Sequence, residues 1–310
     1  MKQSYDLIGD IHGQAQELVA LLRLLSYENI NGIWQHPERK AIFLGDFIDR
    51  GSFQKEVIDI VRPMVASGHA LSVMGNHEYN AIAFNTRDKN DTHLRAHNIK
   101  NIKQHRAFLK AYRHNQEGYL ETLAWFKTLP LWLDLNGLRV IHACWDSEHI
   151  DKVLDFQNGS NLLSDELLQA SSRKDTWQYG AIETLLKGKE IPLPEGRFFY
   201  DKDKNKRHHI RIKWWDKSVN TYHSMFMGPD DARDHIPKDK VQGGHLVAYG
   251  KKEKPVFLGH YWMSGEIKPL TDNIACIDYS VAKEGGSLVA YRWDGEQTLE
   301  KDKFLSVQRD

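Results

Sequence analysis

Three apolar runs in the first eighty residues end alike, in a glycine followed at once by a polar cluster: YDLIGDIHG (5–13), AIFLGDFIDRG (41–51) and LSVMGNHE (71–78). A turn alone needs only glycine and one short polar residue. Here buried strands lead into clusters of Asp, His, Arg and Asn. Between the runs, Leu18, Leu21, Leu22 and Leu25, and then Val57, Ile60, Val61 and Met64, recur at helical spacing. Strands alternating with helices predict an α/β architecture with its functional groups on loops after strand ends. Periodicity by itself suggests an open parallel sheet.

Farther along, residues 98–129 read as helical, closed by Pro130. LWLDL and LRVIHACW flank Asn136-Gly137, a strong hairpin signal. Strand patterns return at VFLGHYW (256–262), NIACIDYS (273–280) and SLVAYRW (287–293), the last ending in the turn Asp294-Gly295. The segment 147–254 breaks this order with a helical piece (165–170), a Pro-punctuated stretch and a basic, aromatic run. It is expected to be an insertion that caps a single domain spanning 1–310, a length just above the usual ceiling of roughly 250–300 residues for one core. Lys plus Arg equals Asp plus Glu at 42 each, so net charge gives no argument for a nucleic-acid or membrane-surface partner. With no signal-like or membrane-spanning apolar run, and two cysteines that form no CxxC pair, the expected location is the cytoplasm.

The strand-end groups form a set. Asp10 and His12 come from GDIHG, Asp46, Asp49 and Arg50 from GDFIDRG, and Asn76, His77 and Glu78 from GNHE; His142 and His260 lie on later strands. Carboxylate, imidazole and amide oxygen are the mixed ligands of borderline divalent metals, and they leave coordination sites open to water. Two ions about 3.5–4 Å apart can share one carboxylate, and Asp46 is the candidate for it. Each piece alone has a plainer reading: an N-cap for Asp10 or Asn76, a satisfied core histidine for His142 or His260. Five strand ends all bearing metal-competent groups make those readings hard to hold together.

In this order and spacing, GDIHG, GDFIDRG and GNHE resemble the calcineurin-like metallophosphoesterases, in the branch of the PPP-type phosphoprotein phosphatases and bacterial diadenosine tetraphosphate hydrolases. The resemblance covers residues 5–82, 137–145, 255–262 and 273–293. It implies a two-layer β-sandwich flanked by helices and two divalent cations, Mn²⁺ first, with Zn²⁺ or Fe as alternatives. Asp10, His12 and Asp46 would hold one ion, and Asp46, Asn76, His142 and His260 the other. His77, paired with Asp49, matches the family's general acid and Arg50 its phosphate clamp. Met74 stands where the protein phosphatases usually carry arginine, and Ala143, Cys144 and Trp145 replace the glycines after the metal histidine. FLGHYW is closer to the dinucleotide hydrolases.

The reading that follows is a dinuclear phosphoesterase hydrolysing phosphomonoesters, serine/threonine-phosphatase-like, by attack of a metal-activated hydroxide, on a small-molecule, nucleotide or phosphoprotein substrate. The alternative within enzymes is a hydrolase of dinucleoside polyphosphates or polynucleotide ends. The alternative of another class is a scaffold that only binds phosphorylated ligands. In the insertion, RFFYDKDKNKRHHIRIKWWDK (197–217) carries eight Lys and Arg against three Asp. HIRIKW alternates apolar and basic, so it reads as a strand with one basic face. Arg207, Arg211, Lys213 and Trp214 are its candidate substrate-binding residues, and nucleic acid is a conceivable but unfavoured partner through them. The plainer reading is a solvated surface hairpin turning at DKDKN. Cys144 reads first as a small core residue and second as a site-lining one.

Overall fold

A computed structural model describes residues 3–200, 206–228, 230–241 and 247–309. The first three apolar runs form strands β1 (Ser4–Ile8), β2 (Arg39–Phe43) and β3 (Ala70–Ser72), which pair in parallel in that order. Hairpin strands β4 (Trp132–Asp134) and β5 (Arg139–Ile141) turn through Asn136-Gly137, where Gly137 takes a φ of 110° that suits glycine. Strands β6 (Val256–Leu258) and β7 (Ile274–Cys276) extend β5 in parallel into a second, four-stranded sheet. Strands β8 (Asp278–Tyr279), β9 (Ser287–Trp293) and β10 (Phe304–Gln308) complete the first sheet, with β9 antiparallel to β1.

Two mixed sheets therefore face each other, and the open parallel sheet suggested by periodicity does not form. The reason lies in the alternation within each strand. Leu7, Ile42, Leu44 and Val73 from the first sheet meet Val140, Phe257, Ala275 and Ile277 from the second in one buried cluster. Their neighbours Ile8, Ala41 and Phe43 point the other way, into a core shared with the helices. A strand buried on both faces shows an unbroken apolar run whether a helix or another sheet covers it. NIACIDYS, which reads as one strand, crosses between layers: β7 lies in one sheet and β8 in the other.

Helices α1 (Ala15–Leu24) and α2 (Gln54–Ala66) match the predicted helical spacing. Helix α3 (Asn76–Asn85) starts at the GNHE motif. The predicted helix over 98–129 is two helices, α4 (Ile99–Ala111) and α5 (Gln116–Phe126). Asn98 and Asn115 cap them by accepting from the backbone N–H of Asn101 and Gly118, so the second cap restarts the chain in a new direction. Helices α6 (Ser147–Phe156), α7 (Asp165–Ser171) and α8 (Trp177–Lys187) follow β5. The backbone N–H groups of Ala143 and Cys144 donate to Leu185 O, tying α8 to the end of β5. Among the described residues no helix is long and apolar enough to cross a membrane.

Candidate metal centre and catalytic site

The loops after β1, β2, β3, β5 and β6 converge because each is stitched to the next. The backbone N–H groups of Ile11 and His12 donate to Asp46 O at 3.1 and 2.9 Å, and Gly259 N–H donates to His142 O at 2.9 Å. Glu78 is wholly buried and accepts from the backbone N–H of Asp46 (2.8 Å), Phe47 (2.9 Å) and Gly75 (3.0 Å), so the last residue of GNHE clamps GDFIDRG in place. Burial and the neighbouring Asp46 carboxylate push Glu78 up to about 7. Close approach also decides two glycines: a Cβ on Gly75 would collide with Asp46 Oδ1, and one on Gly259 with Asp10 Oδ1. His12, Asp46, Asp49, Arg50 and His260 all take left-handed φ values between 48° and 70°. Such conformations cost on the order of 1–3 kcal/mol each and persist only where the surroundings impose them.

Asp46 sits at the middle. Its Oδ2 lies 3.6 Å from His12 Nε2, 3.3 Å from His142 Nε2 and 3.9 Å from His77 Nε2. Its Oδ1 accepts from the His77 backbone N–H at 2.9 Å. Two ligand-capable groups, His12–Asp46–His77 and Asp46–His142–His260, share this one carboxylate. Asn76 Oδ1 lies 3.2 Å from His142 Nε2 and 2.7 Å from His260 Nδ1. The tautomers are set from behind. His12 Nδ1 donates to Ile48 O (3.0 Å) and His142 Nδ1 to Leu44 O (2.7 Å), which leaves both Nε2 lone pairs facing the centre.

The unpaired atoms point to cations. Asp10 Oδ1, His12 Nε2 and His260 Nε2 are buried with no hydrogen-bond partner among the described residues, although buried polar atoms in folded proteins are almost always satisfied. Burial, with the Asp278 and Asp46 carboxylates, pushes Asp10 well above its ordinary range. Burial and the His77 imidazole push His12 down to about 4, keeping it neutral as a ligand must be. Crowded carboxylates and neutral imidazoles with free lone pairs are what one or two divalent cations would complete. The donor set fits that group.

Beside this centre, His77 Nδ1 donates to Asp49 Oδ2 at 2.6 Å, so the ring offers its Nε2 to the site. A second histidine, His105 on α4, donates from Nδ1 to Asp49 Oδ1 at 3.0 Å. Burial alone would raise Asp49, but the hydrogen bonds from His105 and His77 outweigh it and hold the carboxyl well below its usual range. Gln54 bonds the Asp49 N–H (2.6 Å) and the Gly51 carbonyl (2.8 Å), fixing the turn that aims Arg50. The Arg50 guanidinium lies over the Trp262 ring at 5.2 Å, and Trp262 is 5.5 Å from the His12 ring.

Motif residues from five loops are thus together, whereas the insertion residues are dispersed. Trp214 is wholly buried, and its Nε1 donates to Tyr261 Oη (3.0 Å) and Ala143 O (3.3 Å), so it is a core residue and has no face for a substrate to stack on. That corrects the reading from its basic, aromatic neighbourhood. HIRIKW does alternate, with Ile210, Ile212 and Trp214 buried and Arg211 and Lys213 partly exposed. The DKDKN turn lies outside the described residues. Arg211 approaches Glu190 at 3.7 Å, and after burial its charge is the largest influence lowering His260. Arg207 is on an exposed two-residue strand (Lys206–Arg207) paired with Phe199–Tyr200. Cys144 is wholly buried core. Sequence reasoning missed Glu78 as a backbone clamp, His105, and Trp262. The one available signal was a histidine at 105, in helical phase with the apolar Phe108 and Tyr112.

The calcineurin-like phosphoesterase profile matches residues 5–250, and the chain belongs to that family. A bis(5'-nucleosyl)-tetraphosphatase PrpE of the asymmetrical type from Oceanobacillus iheyensis is 32% identical over 141 residues, 44% of this chain and 54% of that protein. Its counterpart from Halalkalibacterium halodurans is 43% identical over 74 residues, 24% of this chain and 30% of that protein. The chain thus spans about a third to a half of the length of these relatives. Among solved structures, a cold-active protein tyrosine phosphatase aligns at TM-score 0.52 and 16% identity over 99% of this chain and 79% of that one. A protein serine/threonine phosphatase from Saccharomyces cerevisiae aligns at 0.51 and 15% over 99% and 80%. Both likenesses show the fold.

Proposed function

We propose that this chain is a hydrolase of phosphoester or phosphoanhydride bonds that works with two divalent cations. Asp10, His12 and Asp46 would hold one, and Asp46, Asn76, His142 and His260 the other. The observation that carries this reading is the Asp46 carboxylate, shared by two ligand-capable clusters with the His77–Asp49 pair alongside. Bound divalent cations supply the acidity that makes water a nucleophile near neutral pH and the charge that neutralises a transferring phosphoryl group. The protein's own residues do the rest. Arg50 receives the phosphoryl oxygens, held by Gln54 behind its turn and by the Trp262 ring beside it. His77, as the imidazolium that against burial the Asp46 and Asp49 carboxylates favour, gives its Nε2 proton to the departing oxygen, and Asp49 holds the ring through Nδ1. The segment 147–254 caps the site, and Arg211 is the member whose charge acts on His260.

For the substrate, the dinucleoside polyphosphate reading is supported by the names of the curated relatives and by the GHYW ending of β6. The phosphomonoester reading rests on the fold alone and stands second. A screen over diadenosine tetraphosphate, nucleotides, phosphopeptides and oligonucleotide ends, with Mn²⁺ added, tests both when nucleotide products are read by chromatography and orthophosphate by release. We expect turnover of the dinucleoside polyphosphate above the other classes. Preferential turnover of phosphopeptides would reverse the order, and turnover of nothing, with ligands bound, would leave the scaffold reading.

A further inference from the structure

We propose that the exposed face of α4 is a binding site for the phosphate chain that extends from the reacting phosphoryl group, which makes the enzyme selective for substrates with several linked phosphates. A groove of about 870 Å³ opens at Arg50 and Gly51 and runs along α4. Lys100, Lys103, Arg106 and Lys110 line it together with Arg50, and among the described residues no Asp or Glu lines it. At 100° per residue the four helix cations fall within one stripe about 120° wide. The opposite face carries buried His105 and Phe108, so packing fixes which way the basic stripe points. None of the four makes an ion pair among the described residues. Five unneutralised positive charges along one groove repel one another at close quarters, an arrangement stabilised by a ligand of opposite sign.

The chemistry narrows what that ligand is. Lys100 to Lys110 spans ten residues, roughly 15 Å along the helix axis, continuous with the arginine that would hold the reacting phosphoryl group. Among the described residues the lining has no aromatic ring on which a base would stack; its apolar members are Ile99, Ala107 and Ala111. Charge without a stacking platform suits a flexible string of phosphates better than a nucleobase or a single-stranded nucleic acid. The inference rests on the phosphoesterase reading for the placement of Arg50. It does not require that any particular nucleotide be the substrate.

The test uses the metal-loaded full chain with Lys100→Gln, Lys103→Gln and Arg106→Gln combined, since glutamine keeps the helix and removes only charge. Inorganic tripolyphosphate and orthophosphate are compared as inhibitors of p-nitrophenyl phosphate hydrolysis with Mn²⁺ in excess. Exposed charge contacts are individually weak, so the three together should raise the tripolyphosphate inhibition constant about tenfold or more. The orthophosphate constant should stay within about twofold, because its contacts are with Arg50 rather than α4. Equal change for both anions, or none for either, overturns the proposal, as does selective loss of an acidic phosphopeptide with tripolyphosphate unaffected. Calorimetric titration of tripolyphosphate into wild-type and variant protein, dialysed free of excess metal, decides the same question without turnover. A chain that hydrolyses nothing yet loses tripolyphosphate affinity in the variant would sink the phosphoesterase reading and keep the groove.

Discussion

Replacing His77 with asparagine separates the proposed acid from every other role in the site. Its Nδ1 is committed to Asp49 at 2.6 Å, and against burial the Asp46 and Asp49 carboxylates favour the imidazolium, whose Nε2–H faces the space beside Asp46, 3.9 Å from Oδ2, with no acceptor among the described residues close enough to take its proton. That proton is available to a departing oxygen, and it matters most when the leaving group is poor. A positioned general acid contributes about 10² to 10⁴ in rate, roughly 3–5 kcal/mol of barrier. His77→Asn should therefore lose a factor in that range on an alkyl phosphate and much less on p-nitrophenyl phosphate, whose leaving group is stable without protonation. The assay is kcat on both substrates in the same metal-loaded preparation, with metal content measured before each run. Equal losses on the two substrates would show that His77 serves the metals or the transition-state charge, and the acid assignment would be wrong.

Asp49→Asn should show the same asymmetry in milder form, and His105→Leu milder still, since each weakens the hold on the protonated His77 ring while leaving the ring in place; kcat ratios over the two leaving groups check this. Trp214→Ala removes a wholly buried ring and should cost about 3–5 kcal/mol of stability in denaturant unfolding, with no selective rise in KM for any substrate. Arg211→Ala should raise KM for a polyanionic substrate more than for p-nitrophenyl phosphate, while Lys213→Ala should do less, because the Arg211 charge acts on His260; steady-state kinetics on the two single variants separates them.

What the sequence made legible follows from which interactions are local. Asp10, His12, Asp46, Asp49, Asn76 and His77 each sit within a few residues of a glycine that ends a strand, so a short window identifies them. His142 and His260 lie on predicted strands, and the structure brings both to Asp46. The sandwich was legible only through family resemblance, because the contacts that distinguish it, such as those in the cluster holding Leu7 and Phe257, join residues far apart in the chain. The split of 273–280 between two sheets leaves no mark in an apolar run that is buried on both sides. Trp214 misled because a tryptophan amid lysines looks the same whether its ring faces solvent or core. The basic stripe on α4 escaped notice because balanced totals of Lys, Arg, Asp and Glu say nothing about one helix face. His105 and Glu78 act on groups dozens of residues away, at Asp49 and at the Asp46 turn, and only the fold brings them there.

The central claim is that Asp46 joins two cation sites, and metal counting on purified protein tests it most directly. Protein equilibrated with Mn²⁺ and freed of excess should hold two ions per chain and lose phosphate-releasing activity when a chelator strips them. Asp46→Asn should hold one ion or none, whereas His12→Ala, which touches only one proposed site, should keep the ion held by Asn76, His142 and His260. Two ions per chain in Asp46→Asn, or full activity in metal-free protein, would contradict the account.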